Sequence, residues 1–396
     1  MTKNIAVVAV GQTKFGELWE HSLRDIVIDA GNSCFNDANT QMSGFERKII
    51  DNLVVGNMGG GSFVNQGHLG PLVSSALGLG NIPAVRCEGA CASSALAFRH
   101  ALHTMQAGKS HVSMVLGVEK MTDVDPSRAL NILMEAGDFE SESMAGLTFA
   151  GLYALMARKH MHDFGTTREQ LAMISVTNHK NGKQNPLAQF RSETTVDTIL
   201  KSSMIADPLA LMDCSPITDG GAAIILMTED AVKKYAIKNP VWIAASACGT
   251  DNIIYHQRKS LTELQATLSA MKQIKEQGIS EKDINFLEVH DCFSINELVA
   301  LEDLGFCKKG QGGKFVENNE IALNGSIPTN TTGGLKSIGH PVGATGARQI
   351  VDAAKQLRGD SINQLKTPQN GLCLNIGGIG STAVIHVLSK NKPDVR

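Results

Sequence analysis

Cys87-Glu-Gly-Ala-Cys91-Ala-Ser-Ser94 runs into apolar residues at helical spacing (Ala95, Leu96, Phe98, Leu102, Met105), which predicts a small-residue helix to about Gln106. A cysteine on the first turn of a helix sits among free N–H groups at the positive end of the helix dipole. Both favour the reactive thiolate over the thiol. The alanines and serines around Cys91 leave room for a molecule to approach the sulfur. The stretch by itself has a second reading, since free cysteine also serves as a small buried hydrophobe. A zinc site built from Cys87, Cys91, His100 and His103 is disfavoured. The two histidines fall inside the continuous helical pattern rather than after a loop, which suits a closed tetrahedral site poorly.

Outward from this stretch, Ala84–Cys87 and Val112–Val118 read as strands on either side of the helix. Upstream lie a first strand over Lys3–Val10, a capping box at Ser22-Leu-Arg-Asp25 opening a helix to about Asn36, and a short strand Asp51–Val55. A glycine loop, Gly56–Ser62, and a helix near Gly70–Ala76 follow; the loop's spacing is not that of a P-loop. This alternation predicts a layered α/β core. After Glu119 the chain becomes richer in charge and methionine, with helices near Thr148–His162 and Arg168–Asn181. The segment His179–Gln184 with Arg191 is a modest basic patch, either a phosphate contact or a solvated face. Ser215–Met227 is a turn entering an apolar strand that returns the chain to the core. Residues 1–119 and 208–240 are thus expected to form a first core half, 120–207 an inserted loop domain, and 241–396 a second half.

That second half carries strands at Val241–Ala247, Phe286–His290, Gly371–Ile376 and Thr382–Leu388, and helices near Leu261–Gln277, Ser294–Leu304 and Thr345–Leu357. Cys91 lies eight residues before Arg99, and His340 eight before Arg348, each opening a small-residue helix that leads to a strand. The match predicts an internal duplication that sets Cys91 and His340 at equivalent, facing positions.

A chain of 396 residues suits two core units. Its formal net charge of −3 gives no reason to expect nucleic acid or a charged membrane as partner. No apolar run approaches the ~18 to 20 residues of a membrane span, and the amino end is too short for a secretory signal. Eight scattered cysteines then indicate a reducing cytoplasm rather than a disulfide framework.

Three further stretches carry chemistry. His290-Asp-Cys-Phe-Ser294 sets an imidazole and a thiol at the end of a buried strand. Gly339-His-Pro-Val-Gly-Ala-Thr-Gly346 pins a histidine in a rigid turn, and Asn375-Ile-Gly-Gly-Ile-Gly-Ser381 offers backbone N–H groups to an oxyanion. Each has a structural reading as well, but two sulfurs and two histidines meeting at one point imply covalent acyl chemistry with a separate proton transfer.

With Ala90-Cys-Ala-Ser-Ser94, Gly339-His-Pro341, Thr218-Asp-Gly-Gly-Ala222 and His290-Asp-Cys-Phe293, the chain resembles the thiolase family over essentially its whole length. The last motif, together with Asn375 where a cysteine is usual, resembles the archaeal and sterol-carrier-type branch; no carrier domain is expected after Arg396. Gly11–Gly16, Val118–Asp123 and Leu211–Asp219 are similar to archaeal acetoacetyl-CoA thiolases.

The resemblance implies a five-layer α-β-α-β-α fold of two similar halves with an inserted loop domain. It also implies condensation of two acetyl-CoA to acetoacetyl-CoA and CoA, the alternatives being degradation of a longer or aromatic 3-ketoacyl-CoA or a non-catalytic binding subunit. Cys91 would be the nucleophile, His340 its base, Cys292 the second catalytic sulfur and His290 the polarising group, with the N–H groups of Cys91 and Gly377 as oxyanion donors. Asp291 is assigned no chemical step, and Met144–Tyr153 is expected along the acyl pocket. Neither cofactor nor metal is expected, coenzyme A thioesters being substrates. Implied partners are further copies of the chain, as dimer or tetramer, and a zinc-ribbon/OB-fold protein with hydroxymethylglutaryl-CoA synthase, as in the mevalonate pathway.

Overall fold

The computed structural model describes residues 4–393. The first half contributes strands β1 (Ile5–Gln12), β2 (Asn52–Gly56), β3 (Ala84–Cys87), β4 (Val112–Glu119) and β5 (Gly220–Thr228). The second contributes β6 (Val241–Thr250), β7 (Phe286–Glu288), β8 (Asn370–Gly377) and β9 (Thr382–Ser389). They form one ladder in the order β3-β2-β4-β5-β1-β6-β9-β8-β7. Within the sheet the two halves join where Ala6 and Val7 pair with Trp242 and Val241.

On either side of that junction the topology repeats. β2/β4 and β7/β8 are parallel, while β4/β5, β5/β1, β8/β9 and β9/β6 are antiparallel. Where the first half has β3 beside β2, the second has only an isolated parallel bridge between Leu287 and Thr329. The duplication inferred from Cys91/Arg99 and His340/Arg348 is therefore built into the strand order.

Helices α1 (Leu23–Gln41), α2 (Leu69–Leu77), α3 (Ser93–Gln106), α4 (Phe149–Phe164), α5 (Arg168–Gly182), α6 (Gln265–Glu276), α7 (Ser294–Asp303), α8 (Gly334–Ile338) and α9 (Thr345–Arg358) include those that cover the sheet. Strand alternation sorts the layers. Val8, Met114 and Ile225 pack outward against α1 and α2. Val7, Val115 and Ile224 pack inward with Phe98 of α3 and Ile350 and Val351 of α9. Leu372, Leu374 and Ile385 pack outward against Met271 of α6 and Leu298 of α7. The result is five layers, α-β-α-β-α, with α3 and α9 between the sheet halves.

Element bounds shift by a few residues from the sequence reading. The first strand runs over Ile5–Gln12, Lys3 lying outside the described residues, and β7 stops at Glu288 so that His290 falls on the following loop. The second-half helix starts at Gln265 rather than near Leu261. Leu152, Tyr153, Met156, Leu171 and Ile174, from α4 and α5, share a core with β7–β9 and α7. The segment after Glu119 thus packs on the second half although it is threaded through the first. Among the described residues no helix is long and apolar enough to cross a membrane.

Candidate active site

Between β3 and α3 the backbone makes a tight 3₁₀ turn, Ala90–Ala92, with Ala90 held at φ +53°, a left-handed conformation unusual for a residue with a Cβ. Ser93 Oγ accepts from Gly89 N–H (3.1 Å) and donates to Ala90 O (2.6 Å), closing the turn and presenting Cys91 at its apex. α9 starts directly opposite. Ala347 N–H donates to Ser94 Oγ at 2.9 Å, and a Cβ on Gly346 would lie 2.6 Å from Ala95 N. Glycine is required at 346 because the two helix starts touch there.

This contact brings Cys91 and His340 together. The ligating atoms of Cys91, His290 and His340 lie within 4.8 Å of one another, and the imidazoles pack edge to face with centroids 4.9 Å apart. Cys91 is partly exposed as a residue, whereas His290, Cys292 and His340 are buried. Cys292 is held by Ser215 N–H donating to its carbonyl (2.8 Å). The Tyr153 hydroxyl donates to Gly378 O (3.0 Å).

The hydrogen bonds assign the His340 proton. Thr345 Oγ donates to Pro341 O (3.1 Å), so towards His340 Nδ1, 2.7 Å away, it can only accept. Nδ1 therefore carries the proton, and Nε2, buried without a partner, presents a lone pair to the site. Thr218 Oγ accepts the His340 backbone N–H (3.0 Å) and donates to Gln189 (2.7 Å), fixing the loop.

Electrostatics revise the opening argument about Cys91. The helix start was expected to favour the thiolate. Instead burial, with the nearby Cys292 and Glu119, raises the thiol well above its ordinary range, and the N–H groups of Gly378 and Cys91 only partly oppose this. Desolvation wins, so Cys91 rests as a thiol and needs a base at the moment of attack. His340 can serve. Burial first, then the Arg348 and Lys336 charges, lower it to about 3, and His290 lies well below its ordinary value for similar reasons. Both imidazoles are neutral at physiological pH. A free-enzyme pH profile for acylation should accordingly show no inflection near the ordinary histidine value of about 6.5. Protonation that removes the His340 lone pair begins only as pH falls toward about 3. A limb between pH 6 and 7 that disappears in a His340 variant would refute this assignment.

Several residues that hold the site carried no motif. Glu119 accepts from Met58 N–H (2.8 Å), Gly59 N–H (3.1 Å), Asn57 Nδ2 (2.8 Å) and Gly343 N–H (3.1 Å), tying the glycine loop of one half to the His340 loop of the other. The Gly56–Ser62 loop, a weak phosphate candidate in the sequence, thus commits N–H groups to an internal carboxylate and includes a helical turn at Gly60–Phe63. Asp291 accepts from Leu335 N–H (2.7 Å), Lys336 N–H (3.1 Å) and Asn178 (2.9 Å), capping α8 just before Gly339-His340. Within the basic patch His179 is buried against Phe190, while Lys183 pairs with Glu193 at 3.0 Å on the surface and Lys180 and Arg191 are exposed. Of Met144–Tyr153, Tyr153 reaches the site while Met144 is exposed.

A duplicated five-layer fold with a cysteine and two neutral histidines at the junction of its halves defines a class of cysteine-dependent acyl-transfer proteins. The chain belongs to the thiolase family: residues 5–230 match the model "Thiolase, N-terminal domain" and residues 247–390 match "Thiolase C-terminal domain-like". It is 45% identical to the "Acetyl-CoA acetyltransferase" of Methanothermobacter thermautotrophicus, covering 98% of this chain and 100% of that one. The protein of the same description from Methanocaldococcus jannaschii is 42% identical, with 98% and 100% coverage. Among solved structures, the "Ltp2-ChsH2(DUF35) aldolase" superposes with a TM-score of 0.84 at 23% identity, covering 99% of both chains, which speaks to the fold.

Proposed function

We infer that the protein is an acetyl-CoA acetyltransferase, a thiolase that condenses two acetyl-CoA to acetoacetyl-CoA and CoA through an acyl-cysteine, and reverses that reaction. The observation that carries this reading is the meeting of two thiols and two neutral imidazoles at one buried point. Near-complete similarity to archaeal proteins of that description supports it.

In this reading His340 Nε2 takes the Cys91 proton and the thiolate adds to the thioester carbonyl. The oxyanion is held by N–H groups of Cys91 and the Gly377 turn. Collapse expels CoA thiolate, which takes the proton back from His340 and leaves as CoA. A second acetyl-CoA binds with its thioester oxygen on His290. Cys292, its proton taken by His340 Nε2, removes the α-proton as a thiolate; the carbanion attacks the acyl carbon and releases Cys91 as a thiolate, which takes the proton from His340. Burial pushes the Cys292 thiol up to about 12, which suits a base acting on so weak a carbon acid. The enolate oxygen still needs stabilisation; one well-placed donor contributes about 3 to 4 kcal/mol.

The test is thiolysis with free CoA across 3-ketoacyl chain lengths. Acetoacetyl-CoA should be the preferred substrate, and a clear preference for longer or aromatic chains would overturn the choice. Self-association as dimer or tetramer, a zinc-ribbon/OB-fold partner with hydroxymethylglutaryl-CoA synthase, and work in the cytoplasm complete the proposal. They rest on the likeness of sequence, and the eight free cysteines are compatible with a reducing compartment.

A further inference from the structure

Asn375 is buried near the end of β8, and its amide meets the second histidine. Its Nδ2 lies 3.0 Å from His290 Nδ1. An amide nitrogen only donates, so in this orientation His290 Nδ1 must accept and the imidazole proton must sit on Nε2. The orientation has a physical cause. Asn375 Oδ1 makes no hydrogen bond and points to the crossing of α3 and α9, where a Cβ on Gly346 would lie 2.5 Å from it and 2.6 Å from Ala95 N. The amide oxygen thus faces the first turns of two fourteen-residue helices, whose free N–H groups and dipoles attract its partial negative charge. Turning the amide over would aim its NH₂ at those positive ends. The duplication that sets two helix starts face to face therefore also orients this side chain.

We propose that Asn375 is a positioning residue that locks His290 as the Nε2–H tautomer, opposite to the tautomer Thr345 imposes on His340, so that one imidazole donates while its neighbour accepts. The rings sit edge to face at 4.9 Å, too close to act independently. Without separate partners they would share one set of roles. With them, His340 offers a lone pair to the Cys91 thiol and His290 offers a proton to a carbonyl oxygen. The backbone around His290 is fixed separately, by Asn330 Oδ1 accepting from Val289 N–H (3.0 Å) and by Asn296 donating to the His290 carbonyl. Asn375 thus controls the ring's protonation rather than its place.

The inference rests on the thiolase reading for its kinetic consequence, not for the tautomer. The test uses the full-length enzyme with ¹⁵N-labelled histidine, the His290 resonances being assigned by their loss in His290→Asn. Wild type should show His290 protonated on Nε2. Asn375→Asp, whose carboxylate only accepts, should move that proton to Nδ1. Asn375→Asp and Asn375→Ala should lose condensation by about 10²- to 10³-fold, the range for removing one oxyanion donor, with a much smaller loss in single-turnover acylation by acetyl-CoA. A wild-type spectrum with the proton on Nδ1 would overturn the proposal. So would equal losses in acylation and condensation, which mark a merely structural residue. If wild type neither condenses acetyl-CoA nor cleaves acetoacetyl-CoA, the functional reading fails, while the spectra still decide the tautomer.

Discussion

Cys91→Ala is expected to yield a folded protein that forms no acyl-enzyme. Mass spectrometry after incubation with acetyl-CoA should show an unmodified chain, and turnover should fall on the order of 10⁶-fold, as when other covalent nucleophiles are removed. The expectation follows from the site's layout. Cys91 is partly exposed as a residue and held at the apex of a turn whose Ala90 is left-handed. The His340 lone pair is the base beside it. Cys292, the other sulfur of the site, is buried. Acetylation persisting on another residue of Cys91→Ala, with turnover, would remove Cys91 from the role assigned to it.

The second large effect separates the two sulfurs. Cys292→Ala should still be acetylated by acetyl-CoA, releasing about one CoA per site, yet condense about 10²- to 10⁴-fold more slowly, the range for losing a general base. Trapped acetyl-enzyme should accumulate. Condensation at near wild-type rate would show that another group removes the α-proton.

Much of the site was legible along the chain because each chemical group sits at a punctuation mark: Cys91 at a helix start, His340 in Gly-His-Pro, His290 and Cys292 just past a strand end. The repeat was legible because both halves place a reactive residue eight positions before an arginine in a small-residue helix, and strand order bears this out. What the motifs did not reveal were the residues that hold them. Glu119, Thr345 and Tyr153 look ordinary in sequence; Glu119 and Tyr153 act through side chains reaching partners far along the chain, as Tyr153 reaches Gly378 and Glu119 reaches Gly343. Asn375 was visible as a departure from the usual cysteine, but its partner was not. The Gly56–Ser62 loop shows the same limit, since the N–H groups of Met58 and Gly59 are taken by Glu119.

The sequence by itself determined the layered α/β architecture, the duplication and the inventory of reactive groups. Those follow from periodicity and turn chemistry, which act over a few residues and leave their mark locally. Only the tertiary structure decided that the segment after Glu119 packs on the second half, that Cys91 rests as a thiol, and which nitrogen of each histidine carries the proton. Those outcomes depend on desolvation and on hydrogen-bond partners far along the chain, as Asn375 is 85 residues from His290. A helix start favours a thiolate locally, but closing five layers over it removes the water that would solvate the charge.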